Sequence, residues 1–168
     1  MTFIRPHLLV LALLLLILPE HGSAQSANLA FGALRQDTSL PVEVTADSLA
    51  VSQQDGTATF TGNVVIGQGE MRLAAPRVLV VYAEATEGST ARIARLEATG
   101  GVTLVSGQDA AEAASADYDI DSGLVVMEGN VLLTQGASAL TSDRMTVDLK
   151  TGTAQMDGRV KTIIRAGD

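Results

Sequence analysis

The feature that most restricts what this chain can fold into is a repeat. Gly62-Asn63-Val64, Gly100-Gly101-Val102, Gly129-Asn130-Val131 and Gly158-Arg159-Val160 recur at spacings of 38, 29 and 29 residues, and Gly69, Gly107 and Gly136 each follow seven positions after the first three. Recurrence on this scale marks one supersecondary unit copied along the chain, because a single copy cannot bury its apolar face alone. A second feature recurs between the glycines, at Ala46-Asp47, Ala75-Pro76, Ala116-Asp117 and Ser142-Asp143. Extra residues at 83–90, rich in Glu, Thr, Gly and Ser, lengthen the first interval and read as an extended loop.

Each unit alternates with period two. Val42, Val44 and Ala46 share one parity, as do Ala58, Phe60, Val64 and Ile66; Leu96, Ala98, Val102 and Leu104; Val131 and Leu133; and Met156, Val160, Thr162 and Ile164. This is the pattern of half-buried strands, so the fold class is all-β. Residues 108–116 are richest in Ala and Glu and read as a loop leading into a strand. The inward parity slips by three residues from Ala46 to Leu49, Ala75 to Val78 and Ser142 to Met145, which predicts a bulge or corner at each. In the third repeat Ala114, Ala116, Tyr118 and Ile120 run on without that switch. Regular corners and regular glycines describe a sheet folded over itself, a stacked roll.

The ends of the chain set its domain organisation. Arg5 and His7 precede the apolar run 8–18, then Pro19 and Gly22-Ser23-Ala24, the order of a signal peptide over residues 1–24. The run is short of the ~20 residues a membrane-spanning helix needs. Residues 25–40 read as an N-terminal lead-in and 41–165 as one β domain. Both His residues, His7 and His21, fall in the leader expected to be cleaved off, and the chain has no Cys. The mature part is thereby left without thiol nucleophiles, imidazole bases, disulfides and most transition-metal sites. Eleven basic against 19 acidic side chains, a net charge of -8, argue against a nucleic-acid partner.

Asp117, Asp119 and Asp121 alternate along one strand face, but without the spaced ligands of a Ca²⁺ loop they read as a solvated face. No Ser, Thr or Asp stands in a nucleophile motif. No catalytic residue, metal or cofactor is therefore expected, although a pair of carboxylates acting on a glycan would need no His or Cys.

The interior admits two readings. Val44, Phe60, Val64, Ile66, Leu73, Val78, Val80, Leu96, Val102, Leu104, Tyr118, Val131, Leu133, Met145 and Val147 are the inward candidates. With few aromatics among them, they either fill a core or line a groove for acyl chains, since an apolar cleft without convergent polar groups suits hydrocarbon. An unclosed array also ends in two strand edges, with Val42 and Val44 at one and Val160 and Ile163 at the other. Such edges pair with other chains unless protected, here by Pro41, Glu43, Arg159 and Lys161. Head-to-tail pairing of one end on the other would be heterologous and could build filaments.

The segment Thr59-Phe60-Thr61-Gly62-Asn63-Val64-Val65-Ile66 with Gln68-Gly69, preceded by Val42-Glu43-Val44-Thr45-Ala46-Asp47 and echoed by Glu128-Gly129-Asn130-Val131-Leu132-Leu133-Thr134-Gln135-Gly136, resembles the OstA-like family over residues 42–164. The chain departs from that pattern at Pro76, in place of an acidic residue, and at Gly101, in place of Asn. The resemblance implies an open antiparallel β-jellyroll whose groove shields the acyl chains of lipid A, and a periplasmic bridge for lipopolysaccharide. It also implies edge-to-edge docking on LptC-like inner-membrane and LptD-like outer-membrane proteins, with head-to-tail self-association. Because lipid A is anionic and the chain acidic, Arg72, Arg77, Arg92 and Arg95 are the candidates for phosphate contacts at the groove rim, or else plain surface charge. A structural β-solenoid with a filled interior and an LptC-like component of the same pathway are the alternatives.

Overall fold

The computed structural model describes residues 27–30, 37–83 and 92–163; the expected signal peptide at 1–24, the centre of the 83–90 loop and Ile164 lie outside them. Among the described residues the elements are β1 (Ala27–Ala30), β2 (Glu43–Thr45), β3 (Ser48–Ser52), β4 (Thr57–Gln68), β5 (Met71–Tyr82), β6 (Ile93–Ser106), β7 (Asp109–Asp119), β8 (Leu124–Gln135), β9 (Ser138–Asp148), β10 (Thr153–Asp157) and β11 (Lys161–Ile163). They form one antiparallel sheet in the order β1-β10-β9-β8-β7-β6-β5-β4-β2, with β3 also on β4 and β11 also on β9. This is the open all-β jellyroll expected. The supposed loop at 108–116 is strand from Asp109 onward, paired to β6 on one side and β8 on the other, with Ala111, Ala113 and Ala116 on its buried face.

Every long strand is folded at its middle. The pairings β4–β5, β5–β6, β6–β7, β7–β8 and β8–β9 break register at Thr61/Val64, Ala74/Arg77, Thr99/Val102, Glu112/Ser115 and Glu128/Val131. One half of each strand lies in a first layer with β1, β3 and β10, and the other half lies in a second layer with β2 and β11. The breaks close one long side of the roll. Along the other, which we call the mouth, Tyr118 near a first-layer tip reaches Gln68 at a second-layer tip.

The corners carry the repeated glycines. Gly62 and Asn63 have φ of 81 and 46°, Gly129 and Asn130 86 and 52°, and Gly158 and Arg159 75 and 43°, two successive left-handed residues each time. Glycine adopts this freely and Asn tolerates it, which explains the recurring pair. Each glycine also receives a side chain from the neighbouring folded strand. A Cβ on Gly129 would lie 2.8 Å from Ala114 Cβ, one on Gly62 2.4 Å from Asp47 Oδ2, and one on Gly158 2.6 Å from Asp143 Oδ2. Gly100 faces Pro76 in the same way, at 3.3 Å.

The residue matching Asp47, Pro76 and Asp143 is therefore Ala114, and the third recurrence is Ala113-Ala114 rather than Ala116-Asp117. The parity switch missing from that repeat is present, since Ala113 and Ala116 are both buried and Ala114 is exposed. A run of alanines concealed it. The Asp47 and Asp143 N–H groups donate to the Gly62 and Gly158 carbonyls at 2.9 Å. The Asp47 carboxylate accepts from Asn63 Nδ2 at 2.8 Å, while Arg159 donates to Asp143 through Nη2 at 2.6 Å. The latter pair secures an arginine in a conformation that side chains usually avoid, and it holds the Asp143 carboxyl below the ordinary carboxylate range.

Gly129→Ala is expected to lower stability by about 1–3 kcal/mol through its dihedral alone, and further through the Ala114 contact. Gly136→Ala, at a left-handed turn residue with open space around it, meets the dihedral cost only. Urea unfolding of the two variants checks this, and equal losses would remove the steric contribution assigned to the corner.

Candidate functional site: an apolar interior behind a polar mouth

The two layers share one core. In the first layer Phe60, Val78, Ala98, Ala116, Met127, Met145 and Met156 stand opposite one another on consecutive strands. In the second, Ile66, Leu73, Leu104, Ala111, Leu133 and Leu140 form the corresponding row. Of the inward candidates, Val64, Ile66, Leu73, Val78, Val80, Leu96, Val102, Leu104, Tyr118, Val131, Leu133, Met145 and Val147 are all at most 2 % exposed. Val44 and Phe60 are partly buried against them. The interior is occupied by these side chains, so a guest would have to part the layers.

Sequence reasoning missed Met71, Val125, Met127, Leu140 and Leu149, which are also buried, and read Met156 only as a strand position. The continuous apolar run Leu124-Val125-Val126-Met127 hid its own parity, although Met127 and Met156 each stand at an offset that the corners would have predicted. Their effect is to make one row of the core three adjacent methionines, Met127, Met145 and Met156. These are unbranched side chains that adapt to irregular space.

The mouth is polar and bridged. Tyr118, near the tip of the first layer, donates from Oη to Gln68 Oε1 at the tip of the second, 2.5 Å away. Gln68 Nε2 donates to the carbonyls of Thr38 at 3.1 Å and Leu40 at 2.9 Å. Ser106 is buried at the end of its own second-layer strand, and Gln135 Nε2 donates to Asp109 Oδ2 at 3.0 Å. Burial pushes the Tyr118 phenol up to about 12.

The four arginines are not brought together. Arg72 and Arg77 take the outward parity of β5, and Arg72 donates to the carbonyls of Gly69 and Met71. Arg92 pairs with Asp121, and Arg95 with Glu97 and Asp117 on the outer face of the first layer. Asp119, the middle of the aspartate series, accepts from the Ser122 N–H and Oγ and shapes the β7–β8 turn. That outer face holds a depression of about 580 Å³ bordered by Arg95, Asp117, Glu128 and Arg144, separate from the interior.

At the ends of the sheet, β2 pairs β4 with Val44 opposite Ile66, and β11 pairs β9 with Ile163 opposite Ala139. Ile163 is exposed, as are Leu49 and Val51 on β3. The lead-in supplies β1, which covers β10 with Ala27 opposite Met156 and Ala30 opposite Thr153.

This architecture has known counterparts. The family model described as LptA/(LptD N-terminal domain) LPS transport protein matches residues 43–153. The chain is 30 % identical to uncharacterized protein R00383 of Rhizobium meliloti, over 82 % of this chain and 78 % of that one. It is 27 % identical to the lipopolysaccharide export system protein LptA of Escherichia coli K12, over 77 % and 71 %. The crystal structure of LptH, the LptA-homologous periplasmic component of the lipopolysaccharide transport device of Pseudomonas aeruginosa, superposes with a TM-score of 0.67 at 16 % identity, covering 78 % of this chain and 99 % of that one. Fold and relatives together define a lipopolysaccharide-transport β-jellyroll. The chain belongs to the family of LptA and the LptD N-terminal domain, as the Gly-Asn-Val motifs led us to expect.

The raised Tyr118 value makes stability pH-dependent at the alkaline end. In the unfolded chain the phenol ionises near 10, in the folded one about 12, so its contribution is complete below pH 10 and is lost as pH rises toward 12. Urea unfolding from pH 9 to 12 is expected to show this decline, and Tyr118→Phe to flatten it.

Proposed function

We propose that this chain is a non-enzymatic periplasmic carrier of lipopolysaccharide, exported by residues 1–24, that holds lipid A acyl chains between its two layers. It would receive lipid from an LptC-like inner-membrane protein and pass it to an LptD-like outer-membrane protein. Strand pairing at the edges marked by Val42 and Val44 and by Val160 and Ile163 would provide the docking and the head-to-tail contacts. The observation that carries the reading is the single apolar interior with its methionine row, in a chain of the lipopolysaccharide-transport family.

Each methylene moved out of water contributes about 0.8 kcal/mol, so a fraction of one acyl chain offsets substantial repacking of the layers. Methionines lower that repacking cost because they change rotamer without leaving voids. Attraction then comes from hydrocarbon rather than from charge, which accommodates an anionic lipid on an acidic protein. The polar row at the mouth, with the buried Gln68 and Ser106 beside Gln135, gives an amphiphile hydrogen-bonding groups for its head group.

The near-complete burial of the interior favours a second reading, a structural module whose core stays filled. Incubating delipidated protein with radiolabelled lipopolysaccharide separates the two. Retention near one lipid per chain is expected, and no retention would leave the scaffold. Replacing Met127, Met145 and Met156 together by Leu conserves volume, at a cost below about 1.5 kcal/mol for each. This triple variant is expected to fold while retaining less lipid.

A further inference from the structure

The mouth is held shut by a specific set of groups. Tyr118 sits among the last residues of the first-layer half of β7, and Gln68 is the last residue of β4 in the second layer, 50 positions away in sequence. Their hydrogen bond spans the side of the roll opposite the corners, where nothing covalent joins these two strands. Gln68 then uses its amide nitrogen on the Thr38 and Leu40 carbonyls, so the segment before β2 lies across the same opening. That segment also reaches the first layer, since a Cβ on Gly123, in the β7–β8 hairpin, would lie 3.4 Å from Thr38 Cγ2. Residues 38–40 therefore touch the tips of both layers.

We infer that Tyr118, Gln68 and residues 38–40 form a latch across the mouth, which an amphiphile must open to reach the interior from the side. The inference deepens the carrier reading and rests on it. The corners cannot serve as the opening, because their left-handed residues and interlocked side chains fix the fold there. At the mouth the layers are joined by polar contacts that water or a lipid head group can replace. A hydrogen bond contributes little net free energy when its partners can be solvated instead, so such a latch opens at small cost and closes again once the guest has left. Tyr118 combines both roles, with its ring in the core and its hydroxyl in the latch.

The chain has no cysteine, so a Thr38→Cys, Gly123→Cys pair forms the sole disulfide when oxidised. The residue at position 123 bears the cost of a left-handed φ of 74° and displaces the flexible Lys150 side chain. The probe is radiolabelled lipopolysaccharide added to delipidated protein, with the rate of uptake measured. Oxidation is expected to slow uptake at least about tenfold and dithiothreitol to restore it, while Tyr118→Phe speeds uptake by about fivefold, the equivalent of one typical hydrogen bond. Uptake at the same rate in oxidised and reduced protein would overturn the latch. If the cysteine pair fails to fold, Tyr118→Phe decides by itself, and an unchanged rate sinks the proposal. Failure of the carrier reading looks different: the unaltered protein then takes up no lipopolysaccharide, and the latch falls with it.

Discussion

The structure depends on a pair of left-handed residues repeated along the chain. Without Gly62-Asn63, Gly100-Gly101, Gly129-Asn130 and Gly158-Arg159, the strands would run straight and give a single sheet with one wet and one apolar face. Bending every strand at the same level folds that sheet onto itself and turns its apolar face into an interior. The neighbour's Asp, Pro or Ala seated against each glycine helps fix the register of the fold, as do the hydrogen bonds from the Asp47 and Asp143 N–H groups to the Gly62 and Gly158 carbonyls. Core, mouth and free edges all follow from these corners.

Function follows from the contrast between the two long sides. The corner side is rigid by dihedral preference and steric interlock. The mouth side is closed by hydrogen bonds among Tyr118, Gln68 and the Thr38 and Leu40 carbonyls. Between them lies a core that carries alanines at Ala98, Ala116 and Ala111 among larger residues on β6 and β7, and is sulfur-rich toward β10. One side is thus fixed by the backbone and the other fastened by hydrogen bonds, the contrast on which the proposed latch rests.

Much of this was legible in the sequence, for physical reasons. Strands with one buried face must alternate, and a corner must slip the phase, so Val44, Ile66 and Leu104 could be placed inward and three of the corners located. The fourth was misread because Ala113, Ala114 and Ala116 carry too little hydrophobic contrast to show phase. Met127 was lost within a continuous apolar run. The arginines show a different limit. Arg72, Arg77, Arg92 and Arg95 are close in sequence, but Arg72 and Arg77 take outward positions on β5, while Arg92 pairs with Asp121 and Arg95 with Glu97 and Asp117. The latch was invisible for the same reason, because a contact between a tyrosine and a glutamine 50 residues apart leaves no periodic trace.

The pairing of β1 with β10 bears on how the molecule is made. An early stretch of polypeptide becomes the neighbour of one of the latest, Ala30 beside Thr153, so the sheet cannot be completed until nearly all of the chain is available to fold. Contacts this distant in sequence form slowly. Until they form, the rim of β10 stays bare, and its own early strand must reach that rim before a stranger does.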